Sequence, residues 1–531
     1  MSETYRILVA DALSARGVAA LELVPQFKVD VKIGLKEEDL LKIVADYDSI
    51  LVRSATKINK KVIEAATKLK IVGRAGVGVD NVDVEAATER GIIVMNTPGG
   101  NTISTAEQAF SLMLSLARKI PHAHASIVAG KWDRKSFEGT EICNKVLGII
   151  GMGRIGGEFA RRAIAFGMRV ICFDPYLSLS RARSLQVELV DQLAALLEQA
   201  DFITLHTPMT PETKGILNAK TLGQCKKGVR IINCARGGLV DEKDLLAALQ
   251  SGQVAGAALD VFEQEPIPAD FPLRNLPNVV LTPHLGASTS EAQESVGIEI
   301  AEATRDALLH GAIRNAVNAP SVDGHTAEIL RPYLSLGEKL GLLLNQIGPQ
   351  RMESLKITYS GGIAEFDTAS VTRSILKGLL RKVGGSDVNV VNAPILAKSR
   401  GIKITESKVS ELGEYTELIQ LEVGSGSEST KVAGTFYGKK PRLVLINDHN
   451  LESSLEGTLF VMENKDRPGI VGWIGTILGR HKVNIASMSL GRMAQGSDAL
   501  SVLNLDSVPP AEALQEISSD KDIRSVKLAT V

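Results

Sequence analysis

The amino-acid sequence predicts an α/β fold with two doubly wound parallel sheets, then an α+β segment and a small ferredoxin-like unit. The first observation is a series of Val- and Ile-rich runs that alternate with helical stretches: YRILVAD, FKVDVKIG, SILVRS, KIVGRAG and GIIVMNTP. The second is that the alternation restarts after the long helix NTISTAEQAFSLMLSLARKI, with KVLGIIG, MRVICFD, FITLHTP, VRIINCAR, AGAALDVF and VVLTPHL. The third is the order strand, helix, strand, strand, helix, strand in residues 458–531.

The composition is that of an ordinary multidomain protein without a polyanionic partner. At ~150 residues per domain, a chain of 531 residues allows about three or four domains. The 60 Lys and Arg residues balance 61 Asp and Glu residues, so no charge excess favours nucleic acid or an acidic membrane surface. No apolar run approaches the ~18 residues of a membrane span, and no cationic and apolar leader opens the sequence. We expect a cytoplasmic protein.

The cysteines and histidines do not predict a metal site. None of the cysteines has C-x-x-C spacing, and their apolar or small neighbours indicate reduced, buried thiols: Cys143, Cys172, Cys225 and Cys234. His122 and His124 in KIPHAHAS suggest a metal pair, but positions i and i+2 of a helix point apart. We therefore expect neither disulfides nor a bound metal.

The stretch VLGIIGMGRIG, residues 146–156, has the pattern of a dinucleotide-binding turn. Gly151 allows a tight turn, Gly153 lets the backbone approach a pyrophosphate, and Gly156 lets the following helix pack on the strand. The next strand ends in Asp174, 174 − 156 = 18 residues after the third glycine. An acid there bonds to the ribose 2′-hydroxyl and repels a 2′-phosphate, which predicts NAD rather than NADP.

A second glycine pair, Gly76 and Gly78 in RAGVGVDNVD, is a weaker candidate for the same role. Its third position is Asn81 rather than glycine, and a polar turn follows. We interpret this segment as a turn at a strand end that lines a cleft, where it can contact a substrate.

Three polar residues at strand ends have the properties that alcohol oxidation by NAD requires. The reaction needs a base for the hydroxyl proton and a cation for an anionic substrate group. His284 in NVVLTPHLGAS and Glu265 in DVFEQEP follow strands 284 − 265 = 19 residues apart, and a carboxylate would raise the imidazole pKa above ~6.5. Arg236 ends the strand IINCAR, where its guanidinium can bind a carboxylate with two hydrogen bonds.

Each of these residues also has a structural interpretation. A single histidine after a strand is more often structural than catalytic, and Arg or Glu in a loop is usually a solvated surface group. Their joint occurrence downstream of a dinucleotide turn favours catalysis. His206 in FITLHTP ends another strand and is expected to border the cofactor.

The segments GMGRIGGEFA, INCARGGLVDE, ALDVFEQEP and LTPHLGAST resemble those of the D-isomer-specific 2-hydroxyacid dehydrogenases. Within that family, LVRSATKI, VGRAGVGVDNVD, VMNTPGGNTISTAE and GKWDRKSFEGTE are similar to long members that act on a phosphorylated substrate. The resemblance implies a discontinuous substrate-binding domain, residues 1–99 with 287–319, and an inserted NAD-binding domain, residues 100–286. It also implies an α+β regulatory domain over 320–456 and a ferredoxin-like ACT domain over 457–531.

The resemblance assigns roles to individual residues. It makes His284 the acid/base, Glu265 its partner and Arg236 the carboxylate-binding residue. It implies substrate contacts from Arg53, Ser54, Arg74, Gly76, Asn101, Arg134 and Lys135, the last two from the same chain or from a neighbouring subunit. Beyond the three glycines and His206, it implies cofactor contacts from Arg154, Ile155, Asp174, Thr207, Cys234, Ala235, Arg236, Asp260, His284, Gly286 and the backbone of Val77. Relatives often have a polar residue at the position of Val77. The valine side chain has no polar atom, so it cannot make the hydrogen bond that those relatives can make there.

The tail carries polar residues but no catalytic constellation. In the ACT family, Asp466 in the DRPG turn and Asn484 in VNIA lie where an amino-acid effector binds between paired domains, with Asn464 a third candidate. DRPG also fits a plain tight turn before a helix that begins at Pro468. Both interpretations can hold together, and the resemblance makes L-serine the expected effector.

The implied activity is oxidation of the C2 hydroxyl of 3-phospho-D-glycerate by NAD to 3-phosphohydroxypyruvate, the first step of phosphorylated L-serine biosynthesis. The family also implies a homo-oligomer, either a dimer or a tetramer. Two alternatives remain open: a dehydrogenase for 2-oxoglutarate, hydroxypyruvate or glyoxylate, and a dinucleotide-sensing transcriptional corepressor on the same fold. The ACT-like tail argues against the corepressor.

Overall fold

The computed structural model describes residues 4–321, 324–384, 388–409, 415–492 and 497–531. It contains four β-sheets, two of them entirely parallel. The predicted fold class, two doubly wound sheets followed by α+β units, is confirmed. No helix within the described ranges is both long and apolar enough to cross a membrane.

The first sheet is five-stranded, with the order β2-β1-β3-β4-β5. Its central strands are buried on both faces, as the continuous runs of Val, Ile and Leu predict. Polar side chains cap several of the connecting helices, for example Asp83, which accepts the Ala86 N–H. The strands are β1 (Tyr5–Val9), β2 (Phe27–Val31), β3 (Ser49–Val52), β4 (Ile71–Arg74) and β5 (Ile93–Met95), and the helices are α1 (Ala15–Glu22), α2 (Glu37–Ile43), α3 (Lys60–Ala65) and α4 (Val84–Glu89).

The second sheet is seven-stranded, with the order β12-β11-β10-β9-β6-β7-β8. The order reverses between β6 and β9, and ligands bind beyond the carboxyl ends of strands at such a switch point. The strands are β6 (Val146–Ile150), β7 (Arg169–Phe173), β8 (Glu188–Leu189), β9 (Phe202–Leu205), β10 (Val229–Asn233), β11 (Val254–Leu259) and β12 (Val279–Leu281). The helices are α5 (Thr102–Arg118), α6 (Ile120–Val128), α7 (Arg154–Ala165), α8 (Leu179–Ser184), α9 (Leu193–Leu197), α10 (Ala219–Gln224) and α11 (Glu242–Gln250).

The chain returns to the first sheet through α12 (Ser290–His310). Val296 and Ile300 of this helix share a hydrophobic core with Ile7 of the first strand. Helices α1 and α12 cross closely, because a Cβ on Gly17 would lie 2.6 Å from the Gly297 carbonyl oxygen. The first sheet therefore owes one of its covering helices to a segment that follows the second sheet.

A third, mixed sheet of six strands has the order β14-β13-β15-β16-β17-β18. Strands β13 and β14 are parallel, and the other neighbours are antiparallel. The helices are α13 (Gly324–Ile347), α14 (Ala369–Gly384) and α15 (Ala393–Ser399), and the strands are β13 (Ser354–Gly361), β14 (Lys403–Val409), β15 (Glu417–Ser425), β16 (Glu428–Tyr437), β17 (Lys440–Ile446) and β18 (His449–Ser454).

The last unit is an antiparallel sheet with the order β20-β21-β19-β22 and two helices. Its elements are β19 (Thr458–Lys465), α16 (Ile470–Arg480), β20 (Ile485–Arg492), β21 (Asp498–Leu505), α17 (Ala511–Ser518) and β22 (Ile523–Thr530). One face of the sheet packs on its own helices. The other face shares the core of the third sheet and α13, and the shared residues are Leu459, Val461, Leu500, Val502 and Ala529.

The contact between the last two units is also polar. Gln346 and Thr530 exchange hydrogen bonds: Gln346 Nε2 donates to the Thr530 carbonyl oxygen at 3.0 Å, and the Thr530 N–H donates to Gln346 Oε1 at 3.0 Å. Lys527 Nζ donates to the carbonyl oxygen of Ile347. The two C-terminal units are thus joined through one core, although the sequence separates them by a turn.

Candidate active site

The glycine turn adopts the geometry that the sequence predicts. Gly151 has a φ of 93°, and a Cβ there would lie 2.7 Å from the His206 carbonyl oxygen. A Cβ on Gly156 would lie 2.3 Å from the Gly151 carbonyl oxygen, so only glycine lets α7 pack against β6. A Cβ on Gly153 would have no neighbour within 4 Å. The N-terminus of α7 therefore faces open space that a pyrophosphate can occupy.

Asp174 follows β7 and is held beside this turn. Its carboxylate accepts the Met152 N–H at 2.8 Å and the Tyr176 N–H at 2.9 Å. The carboxylate thus tethers the glycine turn to the next strand end, at the position that the sequence assigns to ribose recognition.

Two unsatisfied polar atoms lie on the strand end next to the turn. Nδ1 of His206 and Oγ1 of Thr207 are buried without a hydrogen-bond partner. Burial lowers the pKa of His206 to about 3, so the ring is neutral, and its Nε2 lies 3.1 Å from Thr204 Oγ1. Buried polar atoms normally find partners, and a nucleotide bound in front of Gly153 would supply them. The residues present therefore fit NAD.

The turn that carries Arg236 is shaped by Asn233, a residue that sequence reasoning missed. The Asn233 amide donates to the Arg236 carbonyl oxygen at 2.8 Å and its oxygen accepts the Ala235 N–H at 3.0 Å. Burial raises the pKa of the Cys234 thiol well above its usual range, so this side chain stays uncharged. Asn233 is the last residue of β10, and an amide at that position is the signal that could have identified it.

His284 and Glu265 form the predicted pair. His284 Nδ1 lies 2.7 Å from Glu265 Oε2, and the second carboxylate oxygen accepts the Phe262 N–H at 3.0 Å. The hydrogen bond to Glu265, opposed by burial, raises the pKa of His284. Burial favours the protonated carboxyl, but the hydrogen bonds from His284 and Phe262 hold the pKa of Glu265 below its ordinary value. This geometry leaves Nε2 as the nitrogen that can exchange a proton with a substrate.

Arg236 reaches across to the glycine turn of the first sheet. Its Nε donates to Asp80 Oδ2 at 3.1 Å, and an added Cβ on Gly78 would lie 1.8 Å from its guanidinium. A Cβ on Gly237 would lie 1.8 Å from the Phe262 carbonyl oxygen, so this glycine lets the Arg236 turn approach the Glu265 loop. The absence of a side chain at Gly78 thus lets the Arg236 guanidinium pack against this turn.

Arg74 is a partly buried cation beside the same turn. Burial, together with the positive charge of Arg236, lowers the pKa of Arg74 to about 10. Its Nε is buried without a hydrogen-bond partner, and an added Cβ on Gly76 would lie 1.6 Å from its Nη1. Arg53 contributes further positive potential to Arg74. Arg74 thus lies near two other arginines, Arg53 and Arg236, and near the carboxylates of Asp80 and Asp11, and its unpaired Nε can donate to a bound anion.

Supporting residues on the first sheet were not identified from the sequence. The buried Asp11 carboxylate accepts the Arg53 N–H at 2.7 Å and thereby fixes the loop that holds Arg53 and Ser54. Asn96 donates to the Val77 carbonyl oxygen at 2.5 Å. Asp11 follows β1, so its position at a strand end could have indicated it.

Asp260 is fully buried, and both its oxygens accept protein hydrogen bonds. Oδ1 accepts the Leu285 N–H and Oδ2 accepts the Gly286 N–H, each at 2.8 Å. Asp260 therefore shapes the loop that holds His284, which has a φ of 56°. A direct contact of Asp260 with the cofactor stays a prediction.

The remaining predicted residues are more scattered. Asn101 precedes α5, and its Oδ1 is buried without a partner. Arg154 and Ile155 are the first two residues of α7. A Cβ added to Gly99 would lie 3.6 Å from Arg154 Nη1, so the Arg154 guanidinium reaches the segment that follows the first sheet. Arg134 and Lys135 are exposed in the loop that follows α6, at a distance along the chain from the arginine cluster.

The predicted effector residues do not meet within one chain. Asp466 accepts a hydrogen bond from Arg492 at 3.0 Å, and Asn484 donates to Asp506 at 2.7 Å. They flank opposite ends of α16, whose 11 residues span about 16 Å. Asn464 is fully buried, which does not favour contact with an effector from solvent. A joint site of Asp466 and Asn484 would require two copies of this unit.

The fold and this site define an NAD-dependent dehydrogenase of 2-hydroxy acids. Residues 110–286 match the D-isomer specific 2-hydroxyacid dehydrogenase NAD binding domain, residues 329–447 the D-3-phosphoglycerate dehydrogenase intervening domain, and residues 457–522 the ACT domain. The chain belongs to the D-3-phosphoglycerate dehydrogenase family.

Relatives support this assignment along almost the whole chain. D-3-phosphoglycerate dehydrogenase of Methanocaldococcus jannaschii is 44% identical over 98% of this chain and 99% of its own length. The Bacillus subtilis enzyme of the same name is 42% identical over 99% of both. Among solved structures, the TT0316 protein of Thermus thermophilus has a TM-score of 0.54 and 37% identity, covering 59% of this chain and 99% of its own.

Proposed function

We propose that this chain oxidises the C2 hydroxyl of 3-phospho-D-glycerate with NAD to 3-phosphohydroxypyruvate, the first step of phosphorylated L-serine biosynthesis. The observation that carries the proposal is Arg236, which lies near the His284–Glu265 pair on one side and near Arg74, itself close to Arg53, on the other. A substrate with a carboxylate and a phosphate matches these arginines, whereas a substrate with one anionic group would leave cations unpaired.

The protein residues prepare the hydroxyl for oxidation. His284 Nε2 accepts the hydroxyl proton, while Glu265 holds the ring through Nδ1 and stabilises the imidazolium that forms. Arg236 binds the carboxylate next to C2 and thereby fixes the carbon that reacts. NAD, when bound, supplies the hydride acceptor.

A substrate panel tests the proposal. NADH production should be much faster with 3-phospho-D-glycerate than with D-glycerate or D-lactate, because only the phosphorylated acid uses every cation. Arg53→Gln should raise KM for 3-phospho-D-glycerate about tenfold or more and change the kinetics with D-glycerate little. Arg90→Gln, an exposed site on the same domain, is the matched control. Equal rates on phosphorylated and unphosphorylated acids would contradict the proposal.

Asp174 should determine the preference for NAD. In Asp174→Ala we expect kcat/KM for NAD to fall roughly tenfold or more and the ratio of NADP to NAD activity to rise by at least as much. The reasons are a lost acceptor for the ribose hydroxyl and a removed repulsion of the 2′-phosphate. Steady-state kinetics with both cofactors measures this, with Asp191→Ala as an exposed control. An unchanged cofactor ratio would mean that another residue discriminates.

We further propose a homo-oligomer in which a neighbouring copy covers α6. None of its residues is buried, and the surface from α6 into the next loop exposes Ile120, Ile127, Val128 and Trp132. Such a contiguous apolar patch favours a protein partner. A copy seated there would also bring Arg134 and Lys135 towards an adjoining cleft. Analytical ultracentrifugation of the full chain distinguishes a dimer from a tetramer.

L-serine is the proposed amino-acid effector, acting at the ACT unit. Asp466→Ala in the full chain should weaken serine inhibition roughly tenfold, because an acceptor for the ammonium group is lost. Glu512→Ala, an exposed acid on α17, should leave inhibition unchanged. A point variant is preferable to removing residues 457–531, because truncation would expose the core shared with α13. Unaltered inhibition in Asp466→Ala would place the control site elsewhere.

The location that we propose is the cytoplasm. All four cysteines are free. Cys143 is exposed, so the expectation that it is buried was wrong, whereas burial raises the pKa of Cys172 to about 11, that of Cys225 to about 12 and that of Cys234 well above its usual range. Such inert, reduced thiols suit a reducing compartment.

A further inference from the structure

A cavity of about 390 Å³ opens on the intervening unit, away from both the dehydrogenase cleft and the ACT sheet. It lies between the first half of α13 and the turn that joins β16 to β17. The side chains that line it and bear on its chemistry are Ile329, Pro332, Tyr333, Glu417, Phe436 and Lys439. The volume falls within the range of about 300–1,000 Å³ that small-molecule sites occupy.

The inner wall of the cavity carries a half-buried carboxylate. Glu417 begins β15, and its Oε2 accepts the Ile363 N–H at 3.2 Å. Burial and the neighbouring Glu417 carboxylate raise the pKa of the Tyr333 hydroxyl, which lines the same cavity. Within the residues that the structure describes, no Lys, Arg or His forms an ion pair with Glu417. A carboxylate in this setting keeps acceptor capacity for a cation from outside the chain.

The walls around Glu417 favour an organic cation over a metal ion. Tyr333 and Phe436 meet edge to face with ring centroids 5.1 Å apart. Aromatic faces attract ammonium groups, and Ile329 and Pro332 present apolar surface that a hydrated ion would not use. In the described part of the chain, no group of three His, Cys, Asp or Glu side chains is placed to hold a metal.

The rim supplies the opposite charge. Lys439 follows Gly438, which has a φ of 65°, so a tight turn places this exposed cation at the mouth of the cavity. An ammonium acceptor inside and a cation at the rim are the two charges that recognise a zwitterion.

We propose that this cavity binds a free α-amino acid with an apolar side chain. The α-ammonium group bonds to Glu417, the α-carboxylate faces Lys439, and the side chain packs among Ile329, Pro332 and Phe436. This site is separate from the ACT unit and does not depend on the dehydrogenase reaction. Since α13 forms one wall and also packs on the ACT sheet, occupancy stabilises the joined C-terminal units.

Calorimetry and thermal unfolding of the full chain test the proposal. L-Leucine, L-methionine and L-serine are titrated separately, with n-butylamine as a ligand that lacks the carboxylate. We expect an apolar amino acid to bind and to raise Tm, and Glu417→Gln to weaken its binding tenfold or more. Glu417→Gln keeps a side-chain oxygen that can accept the Ile363 N–H, so we expect the fold to be retained. Glu422→Gln, on the same strand but outside the cavity, should bind like the parent chain.

Each other outcome counts against the proposal. Equal affinity in Glu417→Gln and the parent would place the amino acid elsewhere, and no binding of any apolar amino acid would overturn the site. Binding of n-butylamine as tight as that of L-leucine would remove the role of Lys439 and with it the assignment of a zwitterion. If Glu417→Gln unfolds at a lower temperature without ligand, Lys439→Gln serves as the second variant, with the same expected loss for L-leucine.

Discussion

His284→Gln should lower kcat by roughly 10²-fold or more and leave NADH affinity close to that of the parent chain. Glutamine can occupy much of the imidazole's space but cannot take up the hydroxyl proton. His284 is itself one of the expected cofactor contacts, but the glycine turn at Gly153 and the acid Asp174, which are expected to hold the pyrophosphate and ribose, are untouched by this change. Steady-state turnover and NADH fluorescence titration separate the two effects.

A matched control exists in the ACT unit. His481 lies 3.9 Å from Glu516, so it is also a histidine beside a carboxylate, but far from the cleft. His481→Gln should retain full turnover. Near-parent kcat in His284→Gln would show that another group accepts the proton.

The pH dependence of the same reaction follows from the pair. Oxidation needs neutral His284, so kcat/KM should rise with pH through the pKa of this residue, which Glu265 raises. Glu265→Gln removes the carboxylate, so the acidic limb should move to lower pH while kcat falls because the imidazolium loses its partner. An acidic limb that stays in place would mean that the profile reports a different group.

Local patterns placed the three predicted catalytic residues at one edge of a sheet because of how a parallel sheet is built. Arg236, Glu265 and His284 follow β10, β11 and β12, which are adjacent strands. The carboxyl ends of parallel strands share one edge, so polar residues after consecutive strands come together. The NAD-binding turn and its acid were visible for the same reason, and the NAD assignment is confirmed by the family match.

Contacts between distant segments were not visible. Gly78 lies 158 residues before Arg236, since 236 − 78 = 158, and nothing in either local pattern shows that a guanidinium occupies the space of a missing Cβ. The core that α13 shares with Leu459 and Val502 was likewise hidden, because periodicity indicates that a face is buried but not what covers it. The separation of Asp466 from Asn484 became evident only once both ends of α16 were located.

The second large effect is expected at Arg236. Arg236→Gln should lower kcat/KM for 3-phospho-D-glycerate by roughly 10²- to 10⁴-fold, since two charge-assisted hydrogen bonds of about 1.5–3 kcal/mol each are lost. Part of the loss should appear in kcat, because the carboxylate also orients C2 towards His284. Arg236→Lys should recover little of it, because an ammonium group cannot reproduce the two-pronged geometry.

Two comparisons make this prediction specific to the substrate. Asp80→Asn removes the carboxylate that Arg236 contacts at 3.1 Å, yet it should change kcat/KM far less, because the substrate carboxylate replaces that partner. NADH affinity should fall by much less than kcat/KM in Arg236→Gln. If kcat/KM fell less than about tenfold in Arg236→Gln, the carboxylate would have to be bound elsewhere. Arg74, whose buried Nε has no partner, would be the alternative, and Arg74→Gln would then show the larger loss.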